Sequence, residues 1–130
     1  MAPKEEYAKR ITVDQDYDIE NDTLFFYAIE DYEYKKSVRM DEKVILDFDK
    51  NNVPMAMEIL HASKLFGVKP IFLTRTIDVD INIDVEETYI KLEATFVIQV
   101  WRQKEPKDVK VQAPNESNIP ILEGMRLASA

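Results

Sequence analysis

Four oxygen-bearing side chains near residue 50 have the spacing of a calcium-binding loop. The run Asp47-x-Asp49-x-Asn51-Asn52-x₅-Glu58 fits the loop signature at every position except the glycine, which Asn52 replaces. Calcium or magnesium would be held by oxygen atoms of Asp47, Asp49, Asn51 and Glu58. A calcium loop needs flanking helices, whereas both flanks here are extended, and a closing turn explains the two asparagines without a metal. The context therefore favours a structural turn, and a cation site is kept as the alternative.

Two further acidic runs could attract cations. Between Asp14 and Asp22 every second residue is an acid, so a fully extended chain would place all of them on one face. If the chain turns within residues 17–22, they point in different directions. The second run, 78–86, lies on a long predicted strand, where such a face is solvated or meets lysines of a neighbouring strand or subunit. Neither run contains a base.

The common catalytic groups are scarce. The chain has no Cys, one His and two Gly, namely Gly67 and Gly124. These counts exclude thiol nucleophiles, a three-His metal site, the phosphate-binding P-loop and the glycine-rich dinucleotide loop. His61 and Ser63 are two residues apart on a predicted helix and point to different sides, and His61 is expected at the helix start. The sequence assigns no catalytic residue and no resident cofactor, and favours a non-enzymatic role.

Length and charge restrict the class of protein and its partners. The 130 residues fit one domain, 1–130, and the net charge is −8. This balance disfavours nucleic acid, and the modest basic patch in 101–112 is interpreted as a solvated strand edge. The first 16 residues lack the apolar core of a signal peptide, and the longest apolar runs are far shorter than a membrane helix. We therefore expect a cytoplasmic protein with neither nucleic acid nor membrane as partner.

The first half predicts an antiparallel meander with one short helix. Alternating or two-faced apolar patterns place strands over 10–14, 23–30, 44–49 and 53–60, and a helix over 61–66 that ends at Gly67. Residues 31–42 are polar and ambiguous. Asn52 closes the turn between the third and fourth strands and is expected to have a positive φ.

The second half predicts a long hairpin followed by an irregular tail. Apolar residues alternate with polar ones from Ile77 to Val100, and two registers keep the apolar faces aligned. The register that places Asp84 opposite Lys91 is preferred to the one that places Asp80 opposite Glu93, because like charges repel. An edge strand over 109–112 extends the hairpin region to 71–112. The tail, 113–130, docks its apolar residues on the body or on a neighbour.

Two motifs resemble a known family. Tyr17-Asp18-x-Glu20-x-Asp22-x-Leu24 and the run from Val44 to Ser63 resemble an uncharacterised prokaryotic family, a domain of unknown function with the patterns YDxExDxLY and ILDYDxxGxxxGIEILDAS. The resemblance covers about residues 9–67. Asn52 and Ala56 stand where the family has Gly, and His61 where it has a capping Asp. The resemblance implies a small antiparallel meander with a short helix, no known catalysis, and an antitoxin-like binding role as one alternative.

The mainly β chain is thus predicted to be a non-enzymatic protein-binding or assembly module. A homodimer formed through an exposed strand edge or the apolar tail is one form of it. The alternatives are a divalent-cation-binding protein that uses the acidic clusters, and an antitoxin-like partner of a small toxin.

Overall fold

The computed structural model describes residues 9–130, and these form nine strands, one short α-helix and one 3₁₀ turn. The helix α1 spans Ala62–Phe66 and the 3₁₀ turn spans Pro70–Thr74. The chain is mainly β, as the sequence predicts. The strands are β1 Arg10–Asp18, β2 Thr23–Ala28, β3 Tyr34–Arg39, β4 Val44–Asp49, β5 Pro54–Ile59, β6 Asp78–Val85, β7 Tyr89–Val100, β8 Gln103–Pro114 and β9 Leu122–Ser129.

All nine strands belong to one sheet that curls on itself. Their order is β3-β4-β5-β2-β1-β9-β6-β7-β8, and every neighbouring pair is antiparallel except β1 with β9. β2 and β7 are four steps apart, roughly 19 Å in a flat sheet. Yet the rings of Phe26 on β2 and Phe96 on β7 have centroids only 5.6 Å apart. The sheet therefore curls around one apolar core, into which Phe66 of α1 also packs, 4.9 Å from Phe96.

The hairpin of β6 and β7 follows directly from the alternating pattern. The apolar side chains stand at every second position of each strand, and those of Ile81, Ile83 and Leu92 are fully buried. The pairing places Asp84 opposite Lys91 and Asp80 opposite Thr95, which is the register that charge favours. Glu86 N–H donates to the Tyr89 carbonyl across the turn (2.8 Å).

The first half differs from a simple meander. β2 pairs with β5 instead of β4, and the ambiguous residues 31–42 contain a fifth strand, β3. The physical reason is burial: β2 and β5 are apolar enough for central positions, whereas Lys35 and Lys36 suit β3 to the exposed edge of the sheet.

The predicted irregular tail is wrong. Residues 122–129 form β9, which lies inside the sheet between β1 and β6. Met125 and Leu127 are 1% and 0% exposed, so the apolar residues dock on the body. The pattern is short and interrupted by Gly124, which is why the strand escapes sequence analysis. The edge strand expected over 109–112 is in fact the much longer β8. Neither helical segment of the described chain is long and apolar enough to cross a membrane.

Candidate functional site

The side of β1–β5 that faces away from the core is called the outer face. Register aligns its side chains in two rows across the five strands. One row runs Arg39, Ile45, Glu58, Phe25, Asp16, and the other Ser37, Asp47, Ala56, Tyr27, Asp14. Acids therefore lie on both sides of a central apolar and aromatic strip.

The central strip exists because β2 is apolar on both sides. Leu24 and Phe26 point into the core and are completely buried, while Phe25 and Tyr27 are only half-buried on the outer face. The sequence predicts a strand that is covered on both sides, and the structure fully covers one. The outer face thus presents aromatic surface that the described chain leaves partly open.

Asp47 lies on this face in a hydrogen-bonded and half-buried setting. Ser37 Oγ donates to Asp47 Oδ1 (2.6 Å), and the Tyr34 hydroxyl lies 2.8 Å from the same Ser37 oxygen. Burial raises the pKa of Asp47 above its ordinary value, and the serine hydrogen bond opposes that rise only in part. Tyr32 feels both burial and the Asp47 charge, which raise its pKa as well.

Glu58 shares the face with Asp47. Partial burial is the first cause of its raised pKa, the negative charge of Asp47 is the second, and Arg39 opposes both. Two carboxylates are therefore crowded on one half-buried surface with insufficient positive charge nearby. Such groups mark candidate sites, because a cation brought by a ligand would relieve them.

The structure separates the four predicted calcium ligands. Asp47 and Glu58 share the outer face, whereas Asp49 is buried in the β4–β5 turn. Asp49 Oδ1 accepts the N–H groups of Asn51 (2.8 Å) and Val53 (2.9 Å). Within residues 9–130, no three His, Asp or Glu side chains come together as a group that could hold a metal ion. The calcium site stays a prediction.

Asn52 has the conformation expected of it, with φ at 62°. Its N–H donates to the Asp49 carbonyl (2.9 Å), so the turn chemistry explains this part of the acidic motif.

The acidic run of β1 is partly extended and partly turned. β1 continues to Asp18, so Asp14, Asp16 and Asp18 point to the outer face, and the turn begins only afterwards. Asp18 accepts hydrogen bonds from the side chain and backbone of Asn21, which lower its pKa.

Asp22 has a structural role that sequence analysis missed. It accepts the Tyr17 hydroxyl (2.6 Å), the Ser63 N–H (3.0 Å) and the Ser63 hydroxyl (2.7 Å), and so caps α1 from a distant turn. Partial burial works against ionisation, but the hydrogen bonds from Tyr17 and Ser63 outweigh it and keep the pKa below its ordinary value. The joint presence of Tyr17, Asp22 and Ser63 in the two motifs is the signal that could have revealed this.

His61 stands at the N-cap of α1 but does not cap it. Its backbone is left-handed, with φ at 53°, and its side chain makes no capping hydrogen bond within the described chain. The capping function expected near His61 belongs to Asp22 instead.

The acidic run of β6 finds partners on neighbouring strands. Arg126 of β9 donates two hydrogen bonds to Asp80, of 2.8 and 2.7 Å. Asp84 accepts the Gly124 N–H (2.8 Å) and lies opposite Lys91. Bonding to Arg126 lowers the pKa of Asp80. This run therefore joins strands, with an arginine in place of the expected lysines at its strongest contact.

Comparison with known proteins extends the relationship beyond the two motifs. A protein of Methanosarcina mazei named "Putative hypoxanthine phosphoribosyltransferase" is 32% identical over 106 residues, which are 82% of this chain and 85% of that protein. The chain belongs to the same family as this protein. An uncharacterised protein of Methanocaldococcus jannaschii is 47% identical over 53 residues, 41% of this chain and 44% of that protein.

Residues 15–63 also match the family described as "Protein of unknown function (DUF2283)". This region contains β2 to β5, the last four residues of β1 and the Asp22 network, so it carries most of the outer face. No solved structure matches the chain.

Proposed function

We propose that this chain is a non-enzymatic protein-binding module whose partner docks on the outer face. The single observation that supports this most strongly is the pair Asp47 and Glu58. Partial burial raises the pKa of both carboxylates, and the negative charge of Asp47 adds to the rise at Glu58. If this face bound no ligand, neutral residues in place of Asp47 and Glu58 would cost the protein nothing.

The chemistry of the face defines the partner as a basic segment that carries Lys or Arg. A cation placed over Asp47 and Glu58 would offset their repulsion, and Asp14 and Asp16 extend the negative field along the same face. Phe25 and Tyr27 supply aromatic surface against which the aliphatic stem or the guanidinium of an arginine packs. An antitoxin-like role is a special case, in which the basic partner is a small toxin.

The test compares two charge reversals of equal size. Glu58→Lys changes the outer face, whereas Glu93→Lys makes the same change on β7, in another part of the sheet. Protein partners captured from the native cell extract by the wild-type chain should be basic, should be lost by Glu58→Lys and retained by Glu93→Lys. Circular dichroism checks that both variants fold. Equal capture by both variants would contradict the proposed face.

The second candidate function is divalent-cation binding. The adjacency of Asp47 and Glu58 favours it, because two crowded carboxylates are natural ligands for Ca²⁺ or Mg²⁺. Asp49 Oδ1 already accepts two backbone hydrogen bonds, so Asp49 would contribute through Oδ2. Calorimetric titration of the full chain with CaCl₂ and MgCl₂ decides this: heat that is lost in Asp47→Asn supports a site, and no heat at millimolar metal removes the candidate.

The name of the M. mazei relative provides a direct challenge to a non-enzymatic role. We propose to incubate this chain with hypoxanthine and phosphoribosyl pyrophosphate and to look for the nucleotide product. The expected result is no turnover, because the two glycines of the chain form no phosphate-binding loop signature. Product formation above a heat-denatured control would replace the binding role.

Self-association is proposed only through the strand edges, since β9 occupies the interior of the sheet. The free edges are β3 and β8. Light scattering coupled to gel filtration should give a dimer mass if an edge pairs, and a monomer would end this form of the proposal. Removal of 114–130 is unsuitable as a test, because it deletes a central strand.

A further inference from the structure

An open cleft of about 580 Å³ lies beside the β7–β8 turn. It is lined by Arg75, Val100, Trp101, Arg102, Gln103 and Glu105. Its volume is within the range of small-molecule sites. None of these residues belongs to the family motifs or to the proposed docking face.

Trp101 is unusual both in exposure and in backbone conformation. Its surface is 71% exposed, and its φ is 56°, in the left-handed region. Gln99 holds this turn by donating from Nε2 to the Trp101 carbonyl (2.9 Å), and the indole meets Phe72 edge-on at 5.1 Å. Gly or Asn would adopt the turn with less strain. The indole is therefore held beside Phe72 while most of its surface stays open to a ligand.

Two arginines give the cleft a positive balance in an acidic protein. Arg75 and Arg102 are exposed, and neither forms an ion pair within residues 9–130. The one acid of the lining, Glu105, is already bound to Lys107 (3.3 Å). Arg75 also borders a neighbouring groove that contains Asp14 and Asp16. Two guanidinium groups that lack an ion-pair partner in the described part of the chain, beside an exposed aromatic ring, are suited to an anion that carries a planar ring.

We propose that this cleft binds a small aromatic anion of the nucleoside phosphate class. The base stacks on Trp101, while Arg102 and Arg75 donate hydrogen bonds to the phosphate. Stacking on an aromatic side chain tolerates every base, so the assignment is to the class and not to one nucleotide. The net charge of −8 opposes a polyanion, which favours a mononucleotide over a nucleic acid.

The first experiment uses intrinsic fluorescence, because Trp101 is the one tryptophan of the chain. Guanosine 5′-monophosphate should quench the emission saturably. By isothermal calorimetry, guanosine and ribose 5-phosphate should each bind at least about tenfold more weakly, because each lacks one of the two contacts. Absence of saturable quenching up to millimolar nucleotide would overturn the proposal. So would a ten-residue single-stranded RNA that binds more than about tenfold tighter, since the ligand would then be a polymer.

Variants separate binding from folding. Arg102→Gln should weaken binding of the monophosphate about tenfold by calorimetry, while Lys110→Gln, on the same strand edge but outside the cleft, should change it less than about twofold. Trp101→Asn should melt at an equal or higher temperature, because Asn accepts a positive φ more readily, and yet lose the binding heat. Unchanged binding in Trp101→Asn, or equal losses in Arg102→Gln and Lys110→Gln, would refute the site.

Discussion

At the scale of single residues, the acids of the first half fall into two groups with opposite effects. Asp22 and Asp49 accept several hydrogen bonds and hold turns and the helix in place. Asp47 and Glu58 lie half-buried on the outer face, where their charges are disfavoured. The sequence motif contains both kinds without distinguishing them, since the difference depends on which way each side chain points.

The first prediction concerns Asp22. Asp22→Ala removes the cap of α1 and leaves Tyr17 and Ser63 without their acceptor, so we expect a loss of about 2 kcal/mol in the free energy of unfolding. Urea denaturation at neutral pH measures it, with the exposed Asp31→Ala as control. A loss no larger than that of the control would contradict the capping role.

The same contact has a defined pH dependence. The folded pKa of Asp22 lies below the ordinary value of 3.8, so its stabilisation is present above that value and is lost as the pH falls through the folded pKa. The stability difference between wild type and Asp22→Ala should therefore shrink in acid.

A second prediction concerns Glu58. Its pKa is raised in the folded protein, so protonated Glu58 favours the folded state. This contribution to stability is present below the ordinary pKa of 4.5 and is lost as the pH rises through the folded pKa. Glu58→Gln should therefore raise the melting temperature at pH 7, by about 2 °C for a half-exposed group. The exposed Glu20→Gln is the matched control. If the two variants melt alike, the charge of Glu58 is not disfavoured.

A third prediction concerns Asn52, whose φ of 62° suits glycine. Asn52→Gly should be neutral or stabilising within about 0.5 kcal/mol, because the backbone already requires the left-handed region. Asn52→Ala should instead destabilise by about 1 kcal/mol. Chemical denaturation of both variants measures the difference in the free energy of unfolding. If Asn52→Ala proved more stable than Asn52→Gly, the left-handed conformation of this turn would be refuted.

At the scale of elements, β9 shows where sequence reasoning is weakest. The long hairpin could be predicted from the alternation along β6 and β7, and the Asp84–Lys91 pair favours the observed register over the other one that alternation allows. In β9 only Met125 and Leu127, on either side of Arg126 and close to Gly124, are fully buried, so the strand pattern is weak. The strands that β9 pairs with, β1 and β6, are distant in sequence. Local pattern cannot report such a pairing.

A fourth prediction follows for β9. Leu127 is completely buried between β1 and β6, so Leu127→Ala should destabilise by about 3 kcal/mol through lost apolar contact and a residual cavity. Ile121→Ala, at a site that is 60% exposed just before the strand, should change stability by less than about 0.5 kcal/mol. Thermal or urea unfolding compares them. Similar losses would mean that β9 does not dock as described.

At the scale of the whole molecule, the curl of the sheet joins the two ends of the chain. β1 pairs in parallel with β9, and residues Arg10 and Arg126 are direct partners in the register. The core of the first half therefore needs the last residues of the chain to be complete. β2, which is apolar on both sides, also needs the second half of the chain to cover its inner side, because Phe26 packs against Phe96 there.

A fifth prediction concerns folding speed. Pairing between strands more than 100 residues apart makes loop closure costly, so folding should take milliseconds to seconds, on the order of other all-β domains. Stopped-flow fluorescence after dilution from urea measures the rate. Folding within tens of microseconds would contradict a topology in which β1 and β9 must meet.

Local patterns in the chain are enough to predict the mainly β class, the β6–β7 hairpin, the helix that ends at Gly67 and the positive φ of Asn52. Each depends on contacts within a few residues or on alternation along one segment. Three features appear only when the whole chain folds: the central place of β9, the pairing of β2 with β5, and the capping of α1 by Asp22. Folding also brings Asp47 to Glu58 and places Arg75 beside Trp101. These outcomes depend on long-range burial, because which strands become neighbours is decided when the whole apolar surface closes around one core.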